Sequence, residues 1–127
     1  MASVAHLDTH VVVWLWTKDM RRLKPMKRTL EERQLVVSPA VELELQFLVE
    51  IGRLRDSPPV ICAGLRETIA LQRSSASFGD IVEKARALGW TRDPIDRLIV
   101  GTAIVEGHEL LTRDENILAN FGQARRS

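Results

Sequence analysis

Residues 4–16 read VAHLDTHVVVWLW, a short apolar run followed almost at once by a longer one. The first run, residues 4–7, has the length of a buried strand and ends at Asp8. Thr9 is a good capping residue, so it can begin a helix through residues 11–16. A strand that leads directly into a helix predicts an α/β fold, with an acid at the carboxyl end of the first strand.

The same alternation continues along the chain. Short apolar runs predict further strands at residues 35–37 and 109–112. Helices are predicted at residues 25–33, 39–51, 79–88, 94–106 and 115–120, with a further helix and strand between residues 60 and 77. Proline after a capping residue opens two of these helices, and glycine ends both. The alternation implies a central parallel sheet with helices on both faces, which is a three-layer α/β/α architecture.

Length and composition describe one ordinary globular domain. The 127 residues are enough for one core but not for two, so we expect a single domain over residues 1–127. The chain is 45% hydrophobic and 28% charged, with a formal net charge of +1. Cys62 is the one cysteine, which excludes an intrachain disulfide. A lone cysteine fits a reducing compartment, so we expect a cytoplasmic protein. No apolar run approaches the roughly 20 residues that cross a bilayer, so we expect no membrane contact.

Four acids stand where an apolar segment should face inward or end at a sheet: Asp8, Glu44, Asp96 and Asp114. Ionised carboxylates rarely occupy such places, because they lose hydration there unless they are paired or bound to a metal. Asp8 and Asp114 each follow a predicted strand directly. They should therefore share the carboxyl edge of the sheet, where α/β folds bind ligands. Each could instead only cap the next helix, although Thr9 could already fill that role beside Asp8.

Helix periodicity directs the other two acids inward. Glu44 shares one stripe of its helix with three apolar residues, Phe47, Leu48 and Ile51. We take this stripe as the core face, which leaves Glu42 on the opposite, solvated stripe. Asp96 shares a stripe with Ile99, Val100 and Ala103. Asp93 fits the ordinary role of a helix cap.

A set of carboxylates without partner cations favours Mg²⁺ or Mn²⁺, which prefer hard oxygen ligands. Two carboxylates about 5 Å apart repel by roughly 3 kcal/mol at an effective dielectric of about 20. Divalent ions remove that repulsion, and a pair of them can hold the attacking and leaving oxygens of a phosphodiester. A basic cluster within residues 21–28 would suit a polyanionic substrate, or equally be the solvated face of a helix.

Other catalytic constellations are missing from the sequence. It contains no glycine-rich phosphate loop, no HExxH pair and no GxSxG motif. Three histidines and one cysteine are, by their separation along the chain, too few and too scattered for a zinc site.

Four segments resemble the motifs of the PIN domain in order and spacing. They are His6-Leu7-Asp8-Thr9-His10-Val11, Val37-Ser38 through Glu44 to Leu54, Asp93-Pro94-Ile95-Asp96-Arg97-Leu98-Ile99-Val100, and Leu110-Leu111-Thr112-Arg113-Asp114. Within that family the chain is similar to the VapC-type toxins of toxin–antitoxin systems. The resemblance implies a PIN-like fold and places the catalytic, metal-binding acids at Asp8, Glu44, Asp96 and Asp114.

The resemblance also implies a Mg²⁺- or Mn²⁺-dependent endoribonuclease, the toxin of a type II toxin–antitoxin system. Such toxins form homodimers and are inhibited by a cognate VapB-type antitoxin. Asp93 and Thr112 take accessory roles in this interpretation. His10, Arg97 and Arg113 are candidate contacts to the RNA substrate, because each lies near one of the acids in the sequence.

Three alternative functions remain open at this point. The same metal chemistry would serve a nuclease that acts on DNA. A phosphatase or phospho-acceptor domain could use Asp8 as nucleophile, but position 10 is a histidine where that chemistry needs a second acid. A catalytically silent PIN-fold module could bind RNA or protein, although a degenerate copy would be expected to lose at least one of the acids.

Overall fold

The structure, a computed structural model, describes residues 3–127. Its elements are, in chain order, β1 (Val4–Leu7), α1 (Thr9–Thr17), α2 (Met20–Leu23), α3 (Lys27–Glu32), β2 (Gln34–Val37), α4 (Pro39–Glu50), α5 (Pro58–Ile69), β3 (Gln72–Arg73), α6 (Phe78–Ala85), α7 (Pro94–Glu106), β4 (Glu109–Leu111), α8 (Glu115–Asn120) and β5 (Ala124–Arg125). A single 3₁₀ turn, Lys24–Met26, joins α2 to α3. The predicted α/β alternation is confirmed.

The strands form one parallel sheet in the order β3-β2-β1-β4-β5, with helices flanking it. Strand β1 is central, and His6 lies opposite Val36 of β2 and Leu110 of β4. Strands β1 and β4 end side by side, because Leu7 pairs with Leu111 and the amide of Asp8 donates to the carbonyl of Leu111 at 3.1 Å. The predicted three-layer architecture, with a short central parallel sheet, is correct.

Helix boundaries follow local signals in most places. Ser38 caps α4 with Pro39 at its first position, and Gly52 follows its end at φ +80°. Asp93 caps α7, which ends at Gly107 with φ +70°. A positive φ favours glycine because a Cβ would be strained there. Both of these helices have the predicted caps and stops.

The predicted helix over residues 25–33 is wrong in its extent. The helix proper is Lys27–Glu32, and Pro25 lies in the preceding 3₁₀ turn, where its missing amide costs no helical hydrogen bond. The helix Met20–Leu23, which begins at the capping residue Asp19, was not predicted. The two-residue edge strand Ala124–Arg125 was not predicted either. Elements this short leave no periodicity to detect.

The core lies between the sheet and the long helices, where Leu7, Val41, Leu45 and Val100 are each fully buried. Helices α6 and α7 approach closely at Gly101, where an added Cβ would lie 3.0 Å from the carbonyl oxygen of Ile81. Within residues 3–127, no helix combines the length and the apolar character that a membrane crossing requires.

Candidate active site

Three of the helices that begin at the carboxyl edge of the sheet are capped by an aspartate. Asp8 caps α1, where its Oδ1 accepts from the amide of Thr9 at 2.8 Å. Asp93 caps α7, accepting from the amides of Ile95 and Asp96 at 2.8 and 3.3 Å. Asp114 caps α8 by accepting from the amide of Ile117 at 2.9 Å. The partial positive charge at helix N-termini lowers the cost of collecting these carboxylates in one place.

The prediction that Thr9 would cap the first helix is wrong. Asp8 has extended backbone angles, φ −73° and ψ 160°, and its carboxylate is the cap, whereas Thr9 is already helical. The Thr9 hydroxyl is buried, without a hydrogen-bond partner at normal distance. It lies near Glu44 and acts to lower the pKa of that carboxyl group, although burial raises the same pKa by more. Asp8 therefore combines the capping role with its place in the acidic site.

Thr112 connects two of the acids. Its hydroxyl donates to Oδ2 of Asp8 at 2.6 Å and accepts from the amide of Asp114 at 3.0 Å. Asp8 is only 5% exposed, and burial raises the pKa of its carboxyl group. The hydrogen bonds from Thr112 and Thr9 oppose that rise, while the charge of Asp114 adds to it. Thr112 thus fixes the orientation of Asp8 from the end of β4.

The pKa of Asp96 is raised well above its ordinary value. Burial is the largest cause, and the charges of Asp93, Asp8, Asp114 and Glu44 add to it in that order; together they raise the pKa to about 7. Each of these charges must lie near Asp96 to act on it, so the carboxylates converge as the sequence predicted. The predicted inward stripe of α7 is also correct, because Ile99, Val100 and Ala103 are all buried.

Glu44 joins this cluster, but not for the reason predicted. Burial raises the pKa of its carboxyl group, and the charges of Asp8 and Asp93 contribute in the same direction. The predicted core stripe is wrong, because Phe47 and Ile51 are 56% and 48% exposed. Helix α4 instead packs through three buried residues, Ala40, Val41 and Leu45. Glu44 is half-buried beside Leu45, at the margin of that face.

Glu42, predicted to be solvated, is instead largely covered and paired. Its side chain is 19% exposed, and its two oxygens accept from Nε and an Nη of Arg73 at 2.6 Å each. The pair joins α4 to β3 in a bidentate geometry that fits guanidinium to carboxylate. Glu42 therefore has a partner of its own and is not one of the charges that act on Asp96.

Across residues 3–127, no lysine or arginine forms an ion pair within 4.0 Å with the clustered acids, Asp8, Glu44, Asp93, Asp96 and Asp114. His10 is exposed, and its charge acts on both Asp8 and Glu44 to lower their pKa values. The negative charge of the cluster therefore has little internal compensation.

The two arginines predicted to contact substrate have different surroundings. The guanidinium of Arg97 donates to the carbonyls of Thr91 and Ala85 at 2.9 and 3.5 Å, so it joins α7 to the segment before it and to α6. Arg97 therefore holds α7 to its neighbours, and its guanidinium is not free for the predicted contact with substrate. Arg113 is half-buried, and its Nε is buried without a hydrogen-bond partner.

A groove of about 450 Å³ borders the acids. It is lined by Leu43, Glu44, Gln46, Phe47, Glu50, Asp93 and Ile95. Its lining includes the exposed apolar side chains of Leu43 and Phe47 and the acids Glu44 and Asp93. A flat aromatic or apolar group could therefore lie beside the acidic cluster.

The histidines are scattered along the sequence, but the structure brings two of them together. Nδ1 of His108 lies 3.3 Å from Nε2 of His6, and Oε1 of Glu106 lies 3.1 Å from the same nitrogen. Parallel pairing of β1 with β4 brings these residues together across 102 positions of the chain. Only knowledge of that register could have revealed the cluster from the sequence.

Comparisons with known proteins identify the family. A family model described as PIN domain matches residues 5–122. The chain belongs to the PIN domain family. This PIN domain is 31% identical over 115 residues to ribonuclease VapC22 of Mycobacterium tuberculosis, a match that covers 87% of each chain. The resemblance to VapC-type proteins is therefore confirmed.

Two solved structures share the fold of this PIN domain. One is VapBC2 from Rickettsia felis bound to a DNA fragment from its promoter, with TM-score 0.68, 17% identity and coverage of 96% of this chain and 97% of the other. The second is DNA-bound VapBC from Salmonella typhimurium, with TM-score 0.62, 17% identity and coverage of 98% of each chain. At these identities the likeness concerns the fold.

Proposed function

We propose that this PIN domain is a Mg²⁺- or Mn²⁺-dependent endoribonuclease that acts as the toxin of a type II toxin–antitoxin system. The observation that carries the proposal is the convergence of Asp8, Glu44, Asp96 and Asp114 without a basic partner. Burying like charges together destabilises a fold. Clusters of such perturbed groups therefore occur mainly at functional sites.

The donor set suits a hard divalent cation. Carboxylate oxygens are the ligands that Mg²⁺ and Mn²⁺ prefer, and Asp8, Glu44, Asp96 and Asp114 would hold them. Bound there, such ions supply water activation and stabilise negative charge on a reacting phosphodiester. Asp96 must lose its proton to become a ligand, and its pKa of about 7 makes that loss depend on pH in the neutral range.

The remaining residues orient this set. Thr112 holds one oxygen of Asp8, and the amide of Thr9 holds the other. Asp93 is committed to two amides of α7, which suits an accessory role. His10 is exposed beside the acids, which supports its proposed contact with a phosphate of the substrate. The groove along Leu43 and Phe47 offers apolar surface on which a base could rest.

The proposed partners follow from the relatives. One curated relative is named a ribonuclease, and both structural neighbours are VapBC assemblies. We therefore propose RNA as the substrate, a cognate VapB-type protein as the inhibitor and a homodimer as the assembly. A toxin that cuts cellular RNA would act in the cytoplasm.

The test is cleavage of matched single-stranded RNA and DNA oligonucleotides with Mg²⁺, with Mn²⁺ or with a chelator. We expect RNA to be cut only when a divalent ion is present, and Asp96→Asn to abolish cutting. The matched control is Asp80→Asn, because Asp80 occupies the same third position of α6 that Asp96 occupies in α7. It should leave cleavage unchanged.

Other outcomes of the same assay separate the alternatives. Cutting of DNA in preference to RNA would point to a DNA-directed nuclease. Binding of RNA without cutting at any metal concentration would point to a catalytically silent module. Cutting that survives both the chelator and Asp96→Asn would reject the proposed chemistry.

A further inference from the structure

A second cluster of metal-ligating side chains lies away from the carboxyl edge of the sheet. His6 is within β1, Glu106 is the last residue of α7, and His108 precedes β4. Gly107, at φ +70°, turns the chain between Glu106 and His108 so that both side chains reach the same place. The pairing of β1 with β4 then brings His108 beside His6.

The three donor atoms have the spacing of a metal's ligands. Nε2 of His6 lies 3.1 Å from Oε1 of Glu106 and 3.3 Å from Nδ1 of His108, and all three atoms lie within 4.8 Å of one another. A tetrahedral ion with ligands at about 2.0–2.1 Å has ligand atoms about 3.3–3.4 Å apart. The two distances at His6 are close to the edge of such a tetrahedron.

Hydrogen bonding alone satisfies this cluster poorly. His6 is 1% exposed, and a neutral imidazole carries one proton, so Nε2 can donate to only one of its two neighbours. If that proton goes to Glu106, Nε2 has no second proton for His108; if Nδ1 of His108 donates to Nε2 instead, the lone pairs of Nε2 and the Glu106 oxygen face each other. A cation at the centre would accept all three lone pairs at once.

The surroundings match those of bound metals in two further respects. The hydroxyl of Ser74 donates to Oε1 of Glu106 at 2.6 Å, which is the kind of outer contact that orients a ligating carboxylate. Ser74 is itself anchored, because its amide donates to the carbonyl of Val37 at 2.8 Å. Glu106 is 24% exposed and His108 is half-buried, so an ion can reach the cluster from solvent.

We propose that His6, Glu106 and His108 form a binding site for a transition metal ion of the Zn²⁺ class, distinct from the acidic edge. Two imidazoles and one carboxylate are the donor set that Zn²⁺ takes in preference to Mg²⁺. The ion ties the end of α7 and the start of β4 to the central strand. Asp8 follows His6 by two residues, about 7 Å along an extended chain, so the ion braces the strand that leads to this proposed catalytic acid.

The experiment uses the full chain with Asp96→Asn as background, which weakens the acidic edge and keeps the test independent of ribonuclease activity. Chelator-treated protein is titrated with Co²⁺, followed by visible absorption, and with Zn²⁺, followed by melting temperature. We expect one ion per chain, a tetrahedral Co²⁺ spectrum and a higher melting temperature with Zn²⁺.

Three variants in that background locate the ion. His108→Ala and Glu106→Gln should each remove the Co²⁺ spectrum, and circular dichroism should show that both still fold, because neither side chain is fully buried. Ser74→Ala should weaken binding by about 10- to 100-fold. His10→Ala is the matched control, an exposed histidine outside the cluster, and should bind Co²⁺ normally.

The proposal is overturned if the background protein binds neither ion, because the cluster would then be a hydrogen-bonded network only. An unchanged spectrum in His108→Ala would equally reject it, since the ion would be bound elsewhere. Loss of the spectrum in His10→Ala, with His108→Ala intact, would assign the ion to the acidic edge instead.

Discussion

Asp96→Asn should stabilise the metal-free protein while abolishing cleavage. The pKa of Asp96 is raised to about 7 by burial and by the neighbouring carboxylates. A folded-state pKa above the unfolded value means that the folded chain binds more protons between about pH 4 and pH 7. The ionised side chain therefore destabilises the fold, increasingly as the pH rises through that window and fully above it. Asparagine has the shape of the neutral acid but never ionises.

The size of the effect follows from the pKa shift. A rise of about 3 pKa units corresponds to about 4 kcal/mol at about 1.36 kcal/mol per unit. Asp96 is only half-buried, so solvent screens much of this interaction and about 1–2 kcal/mol remains. For a domain of this size that gain raises the melting temperature by about 3–8 °C.

The assay is urea denaturation of wild type and Asp96→Asn in chelator, at several values between pH 4 and pH 8. The difference in free energy of unfolding should be near zero at pH 4 and should reach its maximum above pH 7. Asp80→Asn is the control, since Asp80 is an exposed acid at the same helix position. It should lose about 0.3–1 kcal/mol at neutral pH, the favourable contribution of an acid in a first turn.

Two results would refute this reasoning. If Asp96→Asn were neutral or destabilising at pH 8, the carboxylates would not strain one another as the structure indicates. If it were equally stabilising at pH 4 and pH 8, the gain would not come from ionisation.

Three further substitutions test other parts of the account. Glu42→Gln should leave cleavage unchanged. It should lower the free energy of unfolding by less than about 1 kcal/mol, because the ion pair of Glu42 with Arg73 is partly solvated. Reduced cleavage would mean that Glu42, not Glu44, is the glutamate of the active site. Thr112→Val removes the hydroxyl that donates to Asp8. Urea denaturation should show a free energy of unfolding lower by about 1.5–3 kcal/mol, and kcat should fall. Unchanged values would mean that Thr112 does not belong to the site. Gly101→Ala should lower the free energy of unfolding, measured in denaturant, by about 1–2 kcal/mol. The new Cβ pushes against α6, and the strain exceeds the gain from the higher helix propensity of alanine. A higher free energy of unfolding would contradict the close packing of α6 and α7.

The parts of the fold that the sequence predicted well have local causes. Strand β1 and helix α8 have the predicted boundaries, and α4 and α7 start and stop at their proline and glycine signals. Convergence of Asp8 and Asp114 followed from parallel topology alone, because neighbouring parallel strands end at the same edge. These inferences needed no knowledge of side-chain packing.

The failures come from features that depend on tertiary structure. Phe47 and Ile51 have the spacing of a core stripe, but they are exposed, because α4 turns its Val41 and Leu45 face to the sheet. Periodicity identifies an apolar stripe without saying what covers it. Periodicity assigned Glu44 to the candidate site through that mistaken stripe. In the structure, Glu44 belongs with the other acids because the charge of Asp8 raises the pKa of its carboxyl group.

The cluster of His6, Glu106 and His108 was missed for a related reason. Its members are joined by strand register, and no short motif contains more than two of them. Ala5 of β1 pairs with Glu109 of β4, so His6 and His108, which are the next residue along β1 and the residue before β4, come within reach of each other. A sequence pattern carries no direct information about register between strands a hundred residues apart.

The central claim is that four carboxylates from distant parts of the chain hold divalent cations. The most direct measurement is a crystal structure of the wild-type protein soaked with Mn²⁺, with anomalous scattering recorded to locate the metal. We expect an anomalous peak bounded by oxygens of Asp8, Asp96 and Asp114, with Glu44 in direct or water-mediated contact. A well-diffracting crystal with no peak at this edge of the sheet, under Mn²⁺ concentrations that support cleavage in solution, would contradict it.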